Sequence, residues 1–240
     1  MHVDAATLVI SITAVLVGSV VQGSIGFGLN LLAAPIVAIV APEMLPFSLV
    51  LIALLSSVTN VVREHHAVDR FAVRYLVLGA VPGTIVGLLL LNALSATGLA
   101  IAAGGVTLLG VVLSVLSPPV PVTGRSSTTA GFVSNAFGTA VAIGGPPVAL
   151  LFQHHRGPTA RSTLGAFFAA SALLSIVAYA VAGKLHTEQL LFALALLPAL
   201  VVGMWTSRHL HPLVDRGWLR PAVLAVSTLA GLTAIVHGLT

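Results

Sequence analysis

Gly28, Pro42, Pro82 and Gly87 recur as Gly144, Pro158, Pro198 and Gly203, each 116 positions further along the chain. Glycine and proline set backbone shape, so their recurrence at one offset constrains a fold more than the recurrence of interchangeable apolar residues. Beyond these pairs the register slips by five, and Thr107 and Gly110 align with Thr228 and Gly231. The extra residues fall in the polar stretch around His211 to Trp218. The chain is therefore read as a single domain, 1–240, built from a first repeat, 1–120, and a second, 121–240. A duplicated, very apolar chain is the ground plan of many secondary transporters, which hold their substrate between the repeats.

The apolar residues come in runs of about 16 to 25, long enough to cross roughly 30 Å of hydrocarbon. The runs are 5–40, 44–62, 71–92, 96–116, 126–153, 161–182, 187–206 and 219–238, of which the first and fifth are longer and interrupted. Charged residues make up only 7% of the chain and hydrophobic residues 58%. Soluble domains carry about a quarter charged residues, so an ordinary soluble domain is excluded, and the short linkers leave no room for a separate one. The expected fold is all-α and polytopic, with the lipid bilayer as its surroundings. The net charge of +4 comes from residues in the loops between runs, so no nucleic-acid partner is expected. The absence of cysteine removes thiol catalysis and disulfides. The start Met-His-Val-Asp lacks the basic residues of a signal peptide, so the first run is expected to remain in the mature protein.

Cytoplasmic loops collect Lys and Arg. If every run crossed once, the ten basic residues would divide evenly and give no orientation. If the interrupted runs each enter and return on one side, Arg63, Arg70, Arg74, Arg125, Arg156, Arg161, Arg208, Arg216 and Arg220 fall together and only Lys184 lies opposite. This second arrangement places both termini and the 183–187 loop in the periplasm of an inner-membrane protein. Each repeat then consists of a broken hairpin plus three crossings. Three is odd, so the repeats are inverted relative to each other.

The interruptions are Gln22-Gly23-Ser24-Ile25-Gly26-Phe27-Gly28-Leu29-Asn30 and the stretch from Ser134-Asn135 through Thr139 to Gly144-Gly145-Pro146-Pro147. Glycines, and prolines that lack an N–H, predict unwinding there. Unwound backbone in a membrane must be buried in protein or line a wet cavity. Half-helices starting at such breaks aim N–H groups and a positive dipole end at the cavity, which suits an anion. Candidate binding residues are Ser24, Gly26, Gly28, Asn30, Ser134, Asn135, Thr139, Gly144, Gly145 and Pro146. The alternative for small residues is close helix packing. Arg161 is a candidate anion attractor at the cytoplasmic mouth, with topology anchoring as its alternative role.

No Asp, Glu, Lys or Arg lies in the middle of a run, which favours an anion held by neutral donors over a cation route. The histidines, His65, His66, His154, His155, His186, His209 and His211 among them, lie in loops or at run ends without a carboxylate or Cys framework for zinc. No base lies mid-span to activate a hydroxyl. Neither catalysis, a metal nor a cofactor is expected.

Gly26-Phe27-Gly28-Leu29-Asn30-Leu31-Leu32-Ala33-Ala34-Pro35 resembles the glycine cluster followed by a proline in the TauE/SafE family of sulfite exporters. Ser134-Asn135-Ala136-Phe137-Gly138-Thr139-Ala140-Val141-Ala142-Ile143-Gly144-Gly145-Pro146-Pro147 resembles that family's second-half motif, and Ala160-Arg161 its Ala-Arg pair at the next helix. Leu29 and Asn30 replace glycines of the first cluster, and Ala142 stands where a glycine is common. The resemblance covers nearly the whole chain. It implies a transporter of sulfite, sulfonates or related sulfur-containing organic anions. The inverted repeat, with the broken segments at its interface, carries the further expectation of alternating access, and a homo-oligomer is left open. An anion channel on the same scaffold, or a membrane subunit without transport, remain the alternatives.

Overall fold

The computed structural model describes residues 4–239 apart from Pro119, His154, Arg156 and 215–218. Arg156, Arg216, His154 and the 215–218 part of the register slip therefore lie outside the described residues. Among the described residues there are ten α-helices and no strand. They are α1 (Ala5–Ile25), α2 (Leu29–Val40), α3 (Phe47–Glu64), α4 (Arg70–Ala93), α5 (Ala96–Leu116), α6 (Gly124–Val141), α7 (Gly145–Phe152), α8 (Gly157–Val181), α9 (Thr187–Val214) and α10 (Leu219–Leu239). Six of them, α1, α3, α4, α5, α8 and α9, are long and apolar enough to cross a membrane.

Local chemistry sets several of the helix starts. The side chains of Asp4, Asp69 and Ser95 accept from the amides of Thr7, Ala72 and Gly98. Thr123 and Ser126 form a reciprocal capping box. Each satisfies an amide that a helix start otherwise leaves unpaired. The run read as 187–206 continues as helix through Pro212 to Val214, because a turn towards polar residues at Ser207 to His211 ends the apolar run without breaking the helix. The interruptions are also shorter than the sequence suggested. Only Gly26–Gly28 and Ala142–Gly144 leave helix, so Ser134, Asn135 and Thr139 sit on α6 itself.

Glycines set how closely the helices approach. A Cβ at Gly79 would stand 1.9 Å from the Thr128 carbonyl oxygen, at Gly83 2.4 Å from that of Phe132, and at Gly87 2.5 Å from that of Ala136. Both residue numbers rise together, so α4 and α6 are parallel neighbours with touching backbones. Likewise Gly203 meets Leu16 and Ser19, and Gly23 meets Met204 and Ser207, so α1 runs parallel to α9. In contrast, α3 and α8 are antiparallel, with Glu64 beside Arg161 and Ser57 beside Gly165. So are α5 and α10, with Thr97 beside Gly238 and Gly104 beside Gly231.

Both interrupted runs fold back on themselves. Gly18 of α1 abuts Leu29 of α2, and Val21 abuts Gly28. Ser134 of α6 donates to the Gly144 carbonyl at the start of α7. With short turns joining the remaining helices, the directions close consistently. One end of the bundle collects the turn at 65–69, the ends of α5 and α7 and the starts of α6 and α8, with Arg63, Arg70, Arg74, Arg125, Arg161 and Arg208. The other end collects those at 41–46, 94–95 and 182–186, with Lys184. Gln189, at the start of α9, ties this second end together by donating to the carbonyls of Glu43 and Leu45.

Candidate functional site at the paired helix breaks

The two breaks have related backbones. Gly26 has φ 99° and Ala142, 116 positions later, has φ 63°. Both are left-handed, a conformation that costs a residue with a Cβ about 1–2 kcal/mol. Ala142 is the one non-glycine residue with positive φ among the described residues. At Gly26 a Cβ would also meet the Arg161 Cα at 2.8 Å, so this position is closed to larger residues on two counts.

The breaks meet directly. The Asn30 side chain donates to the Ala142 carbonyl at 2.8 Å and to that of Leu49 at 3.3 Å. Its own Oδ1 is buried without a partner. A Cβ at Gly145 would lie 3.2 Å from the Phe27 ring. Between the breaks is a cavity of about 60 Å³, whose polar wall includes Gln22, Gly28, Asn30, Gly144, Gly145 and Ser171. That exceeds the roughly 10–15 Å³ needed to hold a water molecule.

A second cavity, of about 230 Å³, lies on the side of the basic end and reaches the exposed His155. Ser24, Pro146 and Arg161 line it, together with apolar residues of α7 and α8. Phe27 and Leu31 line both cavities and therefore stand between them. Towards the other end Tyr179 is buried, donates to the Thr139 carbonyl and meets Phe47 edge to face.

The sequence candidates thus divide. Gly28, Asn30, Gly144 and Gly145 share the small cavity, while Ser24, Pro146 and Arg161 share the larger one. Ser24 Oγ is fully buried without a partner. Ser134 and Thr139 are occupied by the Gly144 carbonyl and by Ser175. Asn135 is fully buried, donates to the Ala80 carbonyl and to Thr84, and accepts from Ser171. Its polar atoms join α4, α6 and α8, so it positions Ser171 and does not itself reach the cavity. Asn135→Ala is expected to lower stability by about 1–3 kcal/mol through the groups left unpaired. A thermal unfolding series with and without anion tests this. Unchanged stability with weaker binding would reassign Asn135 to direct contact.

Two expectations are corrected. The half-helix starts offer fewer amides than their number suggests. Leu29 N–H is taken by Gln22 Oε1 at 3.2 Å, and Pro146 and Pro147 have none. Within the first turns the groups without an intrahelical partner are therefore the amides of Asn30, Leu31 and Gly145. Arg161 is not an open charge at the mouth. It is 8% exposed, and its guanidinium holds both carboxylate oxygens of Glu64. A charge so buried and paired is poorly screened by salt.

Sequence reasoning passed over Gln22, Gly138, Ser171, Ser175 and Glu64. The spacing of Ser171 and Ser175, one helical turn apart inside an apolar run, was the available signal for a polar stripe on α8. Glu64 gave none, because its role depends on Arg161 from the other half. Among the described residues no three of His, Cys, Asp or Glu gather as a metal site would require.

A family model described as sulfite exporter TauE/SafE matches residues 10–234. No curated protein and no solved structure matches the chain.

Proposed function

The chain belongs to the TauE/SafE sulfite exporter family, a family of membrane transporters, and on that footing we propose that it carries a small oxyanion, sulfite or an organosulfonate, outward by alternating access. The observation that carries this reading is the direct meeting of the two breaks around one cavity, with Asn30 bonded across to Ala142. Backbone that leaves helix inside a membrane helix bundle belongs where a cavity must be lined. The amides of Asn30, Leu31 and Gly145, with those of Gly28 and Gly144, are the neutral groups assigned to the anion. Ser24, Gly26 and Pro146 shape the approach to it from the basic end. Ser134, Asn135 and Thr139 hold that geometry from behind. No catalytic step and no cofactor belong to this account.

Two inverted repeats, 1–120 and 121–240, are part of the proposal. The packing directions support it: α1 runs opposite to α6, α2 to α7, α3 to α8, α4 to α9 and α5 to α10. The packing of α4 on α6 has its counterpart in α9 on α1. Exchange of the halves would therefore turn a cavity that reaches one end into a cavity that reaches the other. In the present arrangement the larger cavity reaches the basic end and Tyr179 lies across the opposite side.

The basic end is assigned to the cytoplasm of an inner-membrane protein and both termini to the periplasm, following the excess of Arg at that end. Because the chain has no cysteine, single cysteines report sidedness without background. Lys184→Cys is expected to react with an impermeant thiol reagent from the periplasm, and Arg125→Cys only from the cytoplasm. Reaction of both from one side would overturn the topology.

The functional test is a flux panel in proteoliposomes. Sulfite and a small sulfonate are expected to move and to compete with each other, whereas acetate and sodium are not expected to compete. Flux of a cation without any sulfur oxyanion would overturn the substrate class.

A further inference from the structure

The Glu64–Arg161 pair is an unusual feature for a membrane bundle with so few charges. The Arg161 side chain is 9% exposed and that of Glu64 18%. A buried ion pair is weak evidence for stability, because desolvation of both charges offsets their attraction. The pair also has no equivalent in the other half: at the repeat offset, Arg161 corresponds to Leu45 and Glu64 to Ala180. The scaffold therefore folds around apolar residues at the equivalent places, and the charged pair serves one end only.

Its surroundings resemble a binding site more than a brace. Arg161 lines the 230 Å³ cavity beside Ser24, whose buried Oγ has no partner. Two glycines make room for it: a Cβ at Gly26 would meet its Cα at 2.8 Å, and one at Gly157 would meet Nη1 at 2.8 Å. Nε and Nη2 donate to Glu64, and Nη1 lies 3.4 Å from the Ser24 carbonyl. A guanidinium has five N–H donors in a planar fork suited to two oxygens on one atom, so these contacts do not exhaust it. Glu64 ends α3, where a carboxylate faces the negative end of the helix dipole. Arg161 offsets that, and Arg63 on the same helix, His65 and His66 in the turn after it and Arg208 on α9 are the other basic groups near this end.

We propose that Arg161 is the entry-site ligand for the anion and that Glu64 is a built-in carboxylate competitor, which the incoming oxyanion displaces from the guanidinium. The ligand class is a small anion with two or more oxygens on one atom. Displaced Glu64 turns towards the nearby basic end and its water. The competitor keeps occupancy by the anion weak enough for passage onward past Phe27 and Leu31. This inference rests on the anion-carrier reading.

The test measures sulfite binding to the purified full chain by calorimetry, alongside sulfite flux. Glu64→Gln removes the competing charge and is expected to lower Kd about tenfold or more while slowing turnover. Arg161→Gln is expected to weaken binding further than Arg161→Lys does, down to what the neutral amides between the breaks retain, and Glu64→Gln combined with Arg161→Gln to resemble Arg161→Gln alone. Arg161→Lys, which keeps the charge without the fork, is expected to raise Kd about tenfold. If Glu64→Gln does not fold, Glu64→Asp, with a shorter reach, is expected to lower Kd in the same direction. A wild type that carries sulfite together with Glu64 variants of unchanged or raised Kd would overturn the inference and leave the carrier reading standing. A wild type that neither binds nor carries any sulfur oxyanion would overturn both.

Discussion

Gly79→Val is expected to remove the folded protein from the membrane. The added Cβ would stand 1.9 Å from the Thr128 carbonyl oxygen and 2.8 Å from the Phe132 nitrogen. These are backbone atoms of a straight helix and cannot swing aside as a long side chain could. Relief requires α4 and α6 to separate along an interface where Gly83 and Gly87 make the same kind of contact. Overpacking in a well-packed core costs about 1–3 kcal/mol, and a backbone clash with no rotamer to relieve it belongs at the upper end or beyond. In lipid there is little hydrophobic force to hold separated helices together. The comparison is Gly105→Val on α5, where a Cβ would meet nothing within 4 Å. Yield of monodisperse protein in detergent and its Tm should fall sharply for Gly79→Val and hardly for Gly105→Val. Equal behaviour of the two would show that α4 and α6 are not in backbone contact.

Gly144→Val is expected to give a protein that folds poorly or, where it folds and the 1–3 kcal/mol of overpacking falls on the transport step, carries sulfite about 5–150-fold more slowly. The reason lies in space and not in backbone preference. Gly144 has φ −106°, which any residue adopts. A Cβ there, however, would meet the Ser134 carbonyl oxygen at 2.7 Å and its Oγ at 3.0 Å. Relief would push Ser134 off the Gly144 carbonyl, loosen the α6–α7 hairpin and shift the wall of the small cavity. Gly138→Ala is the milder comparison on the same wall, since its Cβ would first meet Asn135 Oδ1 at 3.5 Å. Flux normalised to folded protein separates the two effects. Normal flux through Gly144→Val would remove the α7 break from the transport path.

The helices were legible in the sequence because each apolar run of membrane length has little choice but helix. Gly28 and Gly144 marked the breaks because backbone-shaping residues recur at one offset. The narrowness of the breaks was not legible. Ser134, Asn135 and Thr139 look like loop residues in isolation, yet the Gly144 carbonyl takes the Ser134 hydroxyl, and α4 and α8 supply partners for Asn135 and Thr139 at Ala80, Thr84, Ser171 and Ser175, so all three remain helical. Arg161 was visible as a charge at the start of a run. Its burial was not, because the carboxylate that permits it, Glu64, lies 97 residues away in sequence. Gln22 was read as part of an unwound stretch, but it lies in the last turn of α1, and its side-chain oxygen accepts from the Leu29 amide. In each case a tertiary partner decided the outcome, from the other half for Asn135 and Arg161 and from the same half for Gln22, Ser134 and Thr139, and no local pattern encodes such pairing.

The central claim, that an oxyanion passes between the two repeats by alternating access, is tested most directly by counterflow. Proteoliposomes preloaded with unlabelled sulfite are diluted into a trace of radiolabelled sulfite, and uptake is followed against empty vesicles. A carrier that exposes one site to each side in turn predicts a transient accumulation of label above equilibrium, an initial rate that saturates with sulfite, and a correspondingly slower accumulation in Gly144→Val. Uptake that rises linearly with concentration and is indifferent to preloading would instead mark a continuous pore, and an absence of sulfite uptake under either condition would contradict the account altogether.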